Sequence, residues 1–164
     1  MNVDTIQLVA EFHQAFGLPC GGDKPALPRP YLPGTLMAGR LALLDALMLF
    51  KEGAEFSDRR CLRLALITEE LSELAEAFEC NELEDSLDAL VDLRYVLDGT
   101  VVELGLHTAV STHHNVPRFQ RAFRRVHAAN MAKLGADGKP IIDGTGKIKK
   151  PEGWTAQDLA DLVV

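Results

Sequence analysis

The sequence predicts an all-α fold, and three stretches carry that prediction. Between Leu62 and Gly99 two helical patterns of apolar residues follow one another, interrupted only at Cys80-Asn81. Thr35 to Lys51 is rich in Leu, Met and Ala and holds no proline, which favours a long helix. Val116 to Lys133 repeats helical spacing through Phe119, Ala122, Phe123, Val126, Ala129 and Met131.

In chain order, Val3 to Phe16 has Ile6, Val9, Ala10 and His13 at helical spacing, and Gly17-Leu18-Pro19 stops it. Phe12 on this short helix reads first as a core residue. From Cys20 to Gly34, glycines and then Pro25, Pro28, Pro30 and Pro33 predict an extended, polyproline-like linker over the surface. The 35–51 helix should be mostly buried, because Arg40 and Asp45 are nearly its only charges and Gly39 its only weak point. Such a helix can also pack against another subunit. Gly53 and Ser57-Asp58 separate it from the acidic hairpin.

The first helix of that hairpin has two characters. A helix turns ~100° per residue, so Leu64, Ile67, Leu71, Leu74 and Phe78 share one side and Glu69, Glu70, Glu73 and Glu76 gather opposite. Leu62 and Leu66 also lie on the acidic side, which predicts a helix that buries both faces. Asn81, three residues before Glu84, reads as the capping box of a second helix. There Leu83, Leu87, Leu90, Val91, Leu97 and Val101 mark the apolar side, with Asp85, Asp88 and Asp92 opposite. An antiparallel hairpin about Asn81 sets residues equidistant from the turn against each other. Glu69 and Glu70 then face Asp92, Glu73 faces Asp88, and Asp85 lies nearer Ala77.

Carboxylates brought together inside a bundle repel unless protonated or neutralised. A hard divalent cation answers that, and all-oxygen ligation suits Mg²⁺ or Mn²⁺. Two solvated acidic faces are the other reading, and spacing alone admits both. Arg63, six residues before Glu69, reads as a basic neighbour of these acids with no catalytic role.

Beyond Gly99 the helix should run to about His107, past Gly105. Thr108 to Pro117, with His113-His114-Asn115, reads as a solvent loop, since adjacent loop residues rarely share one ion without further ligands. The 116–133 helix is basic through Arg118, Arg121, Arg124 and Arg125, and presents Asn130 and Lys133 one turn apart. Gly135 to Gly146, with Asp137-Gly138 and Asp143-Gly144, predicts a small hairpin or flap ahead of Lys147, Lys149 and Lys150. Thr155 and Asp158 look like the cap of a last helix from Ala156 to Val163.

The whole chain, 164 residues at 47% hydrophobic and 25% charged, is the length of one ordinary domain, 1–164, with a core of its own. A formal charge of −7 argues against a nucleic-acid polymer as partner. Cys20, Cys61 and Cys80 have no CxxC spacing, so neither a disulfide framework nor a zinc ribbon is expected. No apolar run approaches the ~18 residues of a membrane span and no leader pattern opens the chain, so a cytoplasmic protein is expected. A di-iron carboxylate bundle would need Glu-x-x-His motifs, and the sequence has none.

Residue order discriminates further. Ile67-Thr68-Glu69-Glu70-Leu71-Ser72-Glu73-Leu74 followed by Asp88-Ala89-Leu90-Val91-Asp92-Leu93 resembles the EExxE…ExxD signature of the MazG-like all-α nucleoside triphosphate pyrophosphohydrolases. Glu11-Phe12-His13, Val126-His127-Ala128-Ala129-Asn130-Met131-Ala132-Lys133 and Gly146-Lys147-Ile148-Lys149-Lys150-Pro151-Glu152-Gly153-Trp154 resemble segments of phage and bacterial members of that group, which includes phosphoribosyl-ATP pyrophosphohydrolases. One departure stands out: the first acid of ExxD falls at position 89, which is alanine, and Asp88 is its substitute, as in relatives that carry DAxxD.

The resemblance implies a four-helix-bundle core with extra short helices, and dimers or dimer-paired tetramers with sites between subunits. It implies that Glu70, Glu73, Asp88 and Asp92 hold two or more Mg²⁺ or Mn²⁺ ions, that Glu69 orients or deprotonates the attacking water, and that Glu69, Glu70 and Glu73 form the catalytic group. It further implies that Asn130, Lys133, Lys147 and Lys150 contact a (deoxy)nucleoside triphosphate, with His13 and Trp154 beside the base. The phage-like segments resemble MazZ-type members, which act on guanine nucleotides, so dGTP or GTP in a phage-infected host is the leading expectation. dUTP or dCTP remains open, and a non-catalytic oligomerising bundle is the reading that Ala89 alone supports.

Overall fold

The computed structural model describes residues 4–28, 34–111, 114–144 and 147–163, so Pro30, Pro33, His113 and Gly146 of the predicted linker, loop and flap lie outside the described residues. The described residues form five α-helices, one two-stranded antiparallel ribbon and one 3₁₀ turn. The all-α prediction holds. By chain contacts they gather into two compact units, Gly22–Leu104 and Met1–Gly21 with Gly105–Val164.

The first unit is built on helices α2 (Thr35–Glu55), α3 (Arg59–Cys80) and α4 (Leu83–Glu103). Helix α3 is central: α2 and α4 both pack along it and hardly on each other. That agrees with a helix covered on both faces, although the covered positions are not the large apolar ones. The buried residues of α3 are Ala65, Thr68, Ser72 and Ala77, and those of α4 are Ser86 and Ala89. Small side chains let the two backbones approach closely, whereas Leu64, Leu71 and Phe78 stay more than a third exposed.

Asp58 caps α3, its carboxylate accepting from the N–H groups of Arg60 (2.8 Å) and Cys61 (3.4 Å). At the other end Asn81 takes the left-handed conformation (φ 59°) that ends the helix, its N–H donating to Phe78 O and that of Glu82 to Ala77 O. Asn81 is therefore the C-cap of α3, and not the N-cap predicted for α4. Glu82 occupies that N-cap position without a side-chain bond. The residue type permits either role, because Asn is among the few side chains that tolerate φ > 0.

Helix α2 begins where expected but runs a turn farther and is far from buried. Only Leu47 is buried, while Met48 and Leu49 are 70% and 69% exposed and Met37, Leu41 and Leu44 are also exposed. Among the described residues that face stays uncovered.

In the second unit α1 (Thr5–Phe16) is capped by Asp4, which accepts from Ile6 and Gln7 N–H, and ends on Gly17 at φ 64°. It packs against α5 (Arg118–Met131). Between α4 and α5 the predicted loop is instead a short antiparallel ribbon, β1 (Ala109–Ser111) and β2 (His114–Pro117), and α4 itself stops at Glu103. Val110 and Val116 were the available sign, since β-branched residues suit a ribbon. The expected hairpin after α5 is present as bridges Leu134↔Pro140 and Ile142↔Ile148. The expected last helix shrinks to a 3₁₀ turn, Ala160–Leu162, with Asp158 accepting from Ala160 N–H (2.9 Å). Among the described residues no helix is long and apolar enough to cross a membrane.

Candidate active site

The reversal at Asn81 sets α3 and α4 antiparallel, and this brings the acids of both helices together. Glu70 is the centre of the group. Its carboxyl is pushed above the ordinary glutamate range, first by partial burial and then by the charges of Glu73, Asp92, Glu69 and Asp88. The five acids of the expected metal and catalytic set are therefore neighbours.

Toward the turn, Glu73, Glu76, Ala77, Cys80, Glu82, Asp85, Asp88 and Ala89 line a cleft of about 430 Å³. Asp85 does sit with Ala77, as equidistance from Asn81 requires. Positions 88 and 89 share this cleft with Glu73, but differently: Asp88 is exposed at its rim and Ala89 is 4% exposed.

The chemistry of the donors fits a hard cation, because they are carboxylates gathered about a group whose charge its neighbours disfavour. Among the described residues, no three His, Cys, Asp or Glu side chains are already converged as a metal-binding set.

Two cations from α2 meet the acids of α3. Lys51 Nζ donates to Glu69 Oε1 at 2.8 Å, and Arg40 pairs with Glu79 at 3.0 Å and Glu76 at 3.6 Å. The pairing of Lys51 with Glu69 was not foreseen from the sequence. Its one sign was a lysine at the end of an otherwise apolar stretch, and nothing in spacing told which acid it meets.

The predicted substrate-binding residues belong to the other unit, and four of them assemble there. Trp154 Nε1 donates to Ala129 O (2.7 Å), fixing the indole on the end of α5. The Lys150 ammonium lies 4.3 Å from its ring centroid and that of Lys133 5.5 Å. Lys133 Nζ also donates to Asn130 Oδ1 at 2.7 Å. Two lysines, an amide and an indole thus form one cationic, partly aromatic patch. Lys147 is held in the hairpin, its backbone N–H donating to Asp143 Oδ1 (3.0 Å) and its carbonyl accepting from Asp143 N–H. His13 Nδ1 lies 2.9 Å from Pro19 O, which ties the ring to the chain leaving α1. Phe12 stacks on the buried Phe16 with centroids 4.2 Å apart, a core role.

An all-α chain with a carboxylate-lined helical hairpin is what the resemblance of its sequence to the all-α pyrophosphohydrolases implies. Residues 50–130 match the family model described as phosphoribosyl-ATP pyrophosphohydrolase, a span that takes in Lys51, every acid of the hairpin and Asn130. The crystal structure of a "putative NTP pyrophosphohydrolase" from Exiguobacterium sp. 255-15 is similar at TM-score 0.54 and 27% identity, covering 94% of this chain and 89% of that one. No curated protein matches. Both similarities support the MazG-like group of NTP pyrophosphohydrolases.

Proposed function

We propose that the protein hydrolyses a (deoxy)nucleoside triphosphate to the monophosphate and pyrophosphate. Water attacks the α-phosphorus, the bond from that phosphorus to the bridging oxygen breaks, and pyrophosphate leaves. The observation that carries this reading is the placement of Glu73, Asp92, Glu69 and Asp88 around the part-buried Glu70. Glu70, Glu73, Asp88 and Asp92 are the residues that would hold Mg²⁺ or Mn²⁺. When bound, two or more such ions supply charge neutralisation for the phosphates and acidify a coordinated water.

The chain's own groups do the rest. Glu69 orients and deprotonates the water, a role that needs Lys51 to release it from their 2.8 Å ion pair. Lys133 and Lys150, already fixed against Trp154, offset charge on the β and γ phosphates, Asn130 donates a hydrogen bond, and Lys147 follows on the same segment. His13 and Trp154 offer rings to the base.

The resemblance of 126–133 and 146–154 to guanine-nucleotide enzymes of phages supports dGTP or GTP as substrate, in the cytoplasm of a host. The deciding experiment gives purified protein each common NTP and dNTP, with phosphoribosyl-ATP, in Mg²⁺, Mn²⁺ or EDTA. Metal-dependent monophosphate plus pyrophosphate is expected, fastest with a guanine base. Orthophosphate as product moves the attack to another phosphorus, and no turnover of any compound removes the proposal.

The same reading includes self-association. Met37, Leu41, Leu44 and Met48 form an exposed apolar stripe on α2, and Leu87, Val91 and Tyr95 form another on α4, the tyrosine 79% exposed. A homodimer or homotetramer covers these faces. Sedimentation should give a multiple of the 18.0 kDa chain mass, and Val91→Lys should lower it. A wild-type monomer at micromolar concentration would exclude the assembly.

A further inference from the structure

A polar contact of the first unit that the proposed function leaves unused lies two helical turns from Glu70, at the open end of the α3–α4 hairpin. Arg63 is only 17% exposed there, although arginine normally keeps its head in water. Its guanidinium crosses to α4: Nε donates to Thr100 Oγ1 at 3.0 Å and lies 3.9 Å from Glu103 Oε2, and Nη2 donates to the carbonyl of Val96. That carbonyl also accepts from Thr100 Oγ1 at 2.9 Å, so Arg63 enters a bonded turn of α4 and does not merely cover it.

Gly99 makes the entry possible. A Cβ there would stand 2.8 Å from Arg63 Nη2, a distance at which one of the two must move. Glycine in a helix interior weakens the helix relative to alanine, so the vacant position calls for a packing reason, and the guanidinium supplies it. Arg63 and Glu70 are seven residues apart and so share a face of α3, while Val96 is one turn beyond Asp92 on α4. The small residues of the hairpin interface, from Ala65 to Ala89, give close approach but little resistance to sliding.

We infer that Arg63 is a positioning residue whose guanidinium, seated over Gly99 and bonded to Val96 and Thr100, fixes the register of α3 on α4. It thereby sets the spacing between Glu70 and Glu73 on one helix and Asp88 and Asp92 on the other. The inference rests on the proposed function, in which those carboxylates share divalent cations.

The test compares wild type with Arg63→Met, Arg63→Lys, Gly99→Ala and the Arg63→Met/Gly99→Ala double variant, with Glu70→Gln as reference. Two quantities are read: the metal-free melting temperature and the Mn²⁺ concentration giving half-maximal thermal stabilisation. Arg63→Met and Gly99→Ala should each raise the Mn²⁺ midpoint roughly tenfold, the scale of losing a residue that orients metal ligands. Arg63→Lys should fall between, since one ammonium cannot reproduce the fork of bonds. In the double variant Gly99→Ala should add nothing, because its methyl group harms only a seated guanidinium.

A wild-type midpoint in Arg63→Met, whatever its melting temperature, overturns the inference, as does full additivity in the double variant. Should Arg63→Met not fold, Gly99→Ala and Arg63→Lys decide alone, and unchanged midpoints in both overturn it. A wild-type protein that Mn²⁺ stabilises no more than Glu70→Gln overturns the proposed function itself and takes this inference with it.

Discussion

Glu70→Gln should cut metal-dependent turnover by on the order of 10³-fold while leaving the metal-free protein more stable than wild type at neutral pH. Both effects have one source. Glutamine keeps the shape of the side chain and removes the charge that burial and four neighbouring carboxylates disfavour. The sign of the pH dependence comes from the raised pKa. A folded-state carboxyl that holds its proton more tightly than the unfolded chain destabilises the fold when ionised. The penalty is absent below the ordinary value of 4.5, grows as pH rises through the raised folded value, and is complete above it. Wild-type protein in EDTA should therefore gain stability on acidification across that window, as far as Glu70 decides it, and the advantage of Glu70→Gln should vanish at its acid end. Saturating Mg²⁺ should reverse the order at neutral pH, stabilising wild type and not the variant. Melting curves in EDTA and Mg²⁺ from pH 4 to 8, beside turnover, check this; residual activity above about a tenth of wild type would remove Glu70 from the metal set.

How much of this was legible in the sequence depended on whether local chemistry or distant packing decided each feature. The hairpin and its acids were legible, because helical period and distance from Asn81 are properties of sequence alone. The role of Asn81 was not, since N-cap and left-handed C-cap both accept asparagine. The choice falls to the backbone N–H of Asn81, spent on Phe78 O and so not offered to Glu84. Burial of α2 was misjudged for another reason: an apolar face announces that something covers it, without saying whether the same chain does. The contacts of Lys51 and Arg63 were not legible because their partners, Glu69 in one case and Val96 with Thr100 in the other, lie 18 and 33 to 37 positions away. A long cationic side chain gives no periodic signal of where its head will go.

The alanine at position 89 yields the sharpest test of the site. Asp88 stands exposed at the rim of the cleft that Glu73 lines, whereas Ala89 lies beneath, buried against α3. A glutamate at 89 would start from the floor and need its extra methylene to reach the space above; an aspartate at 88 starts nearer and needs less arm. Under the proposed function the two residues are alternative routes for one carboxylate, the ~100° rotation between them offset by side-chain length. Asp88→Ala should lower turnover about 100-fold and raise the Mn²⁺ requirement, because the proposed set loses one of its four carboxylates. Adding Ala89→Glu to that variant should restore activity to within about tenfold of wild type, the remainder reflecting the cost of placing a longer side chain in a close-packed hairpin. Ala89→Glu alone should crowd a further charge against Glu73, lowering metal-free stability and strengthening Mn²⁺ binding. Turnover and Mn²⁺ midpoints of the three variants separate the possibilities. Near wild-type activity in Asp88→Ala would dismiss Asp88 as a ligand, and a double variant no better than Asp88→Ala would mean that position 89 serves packing only.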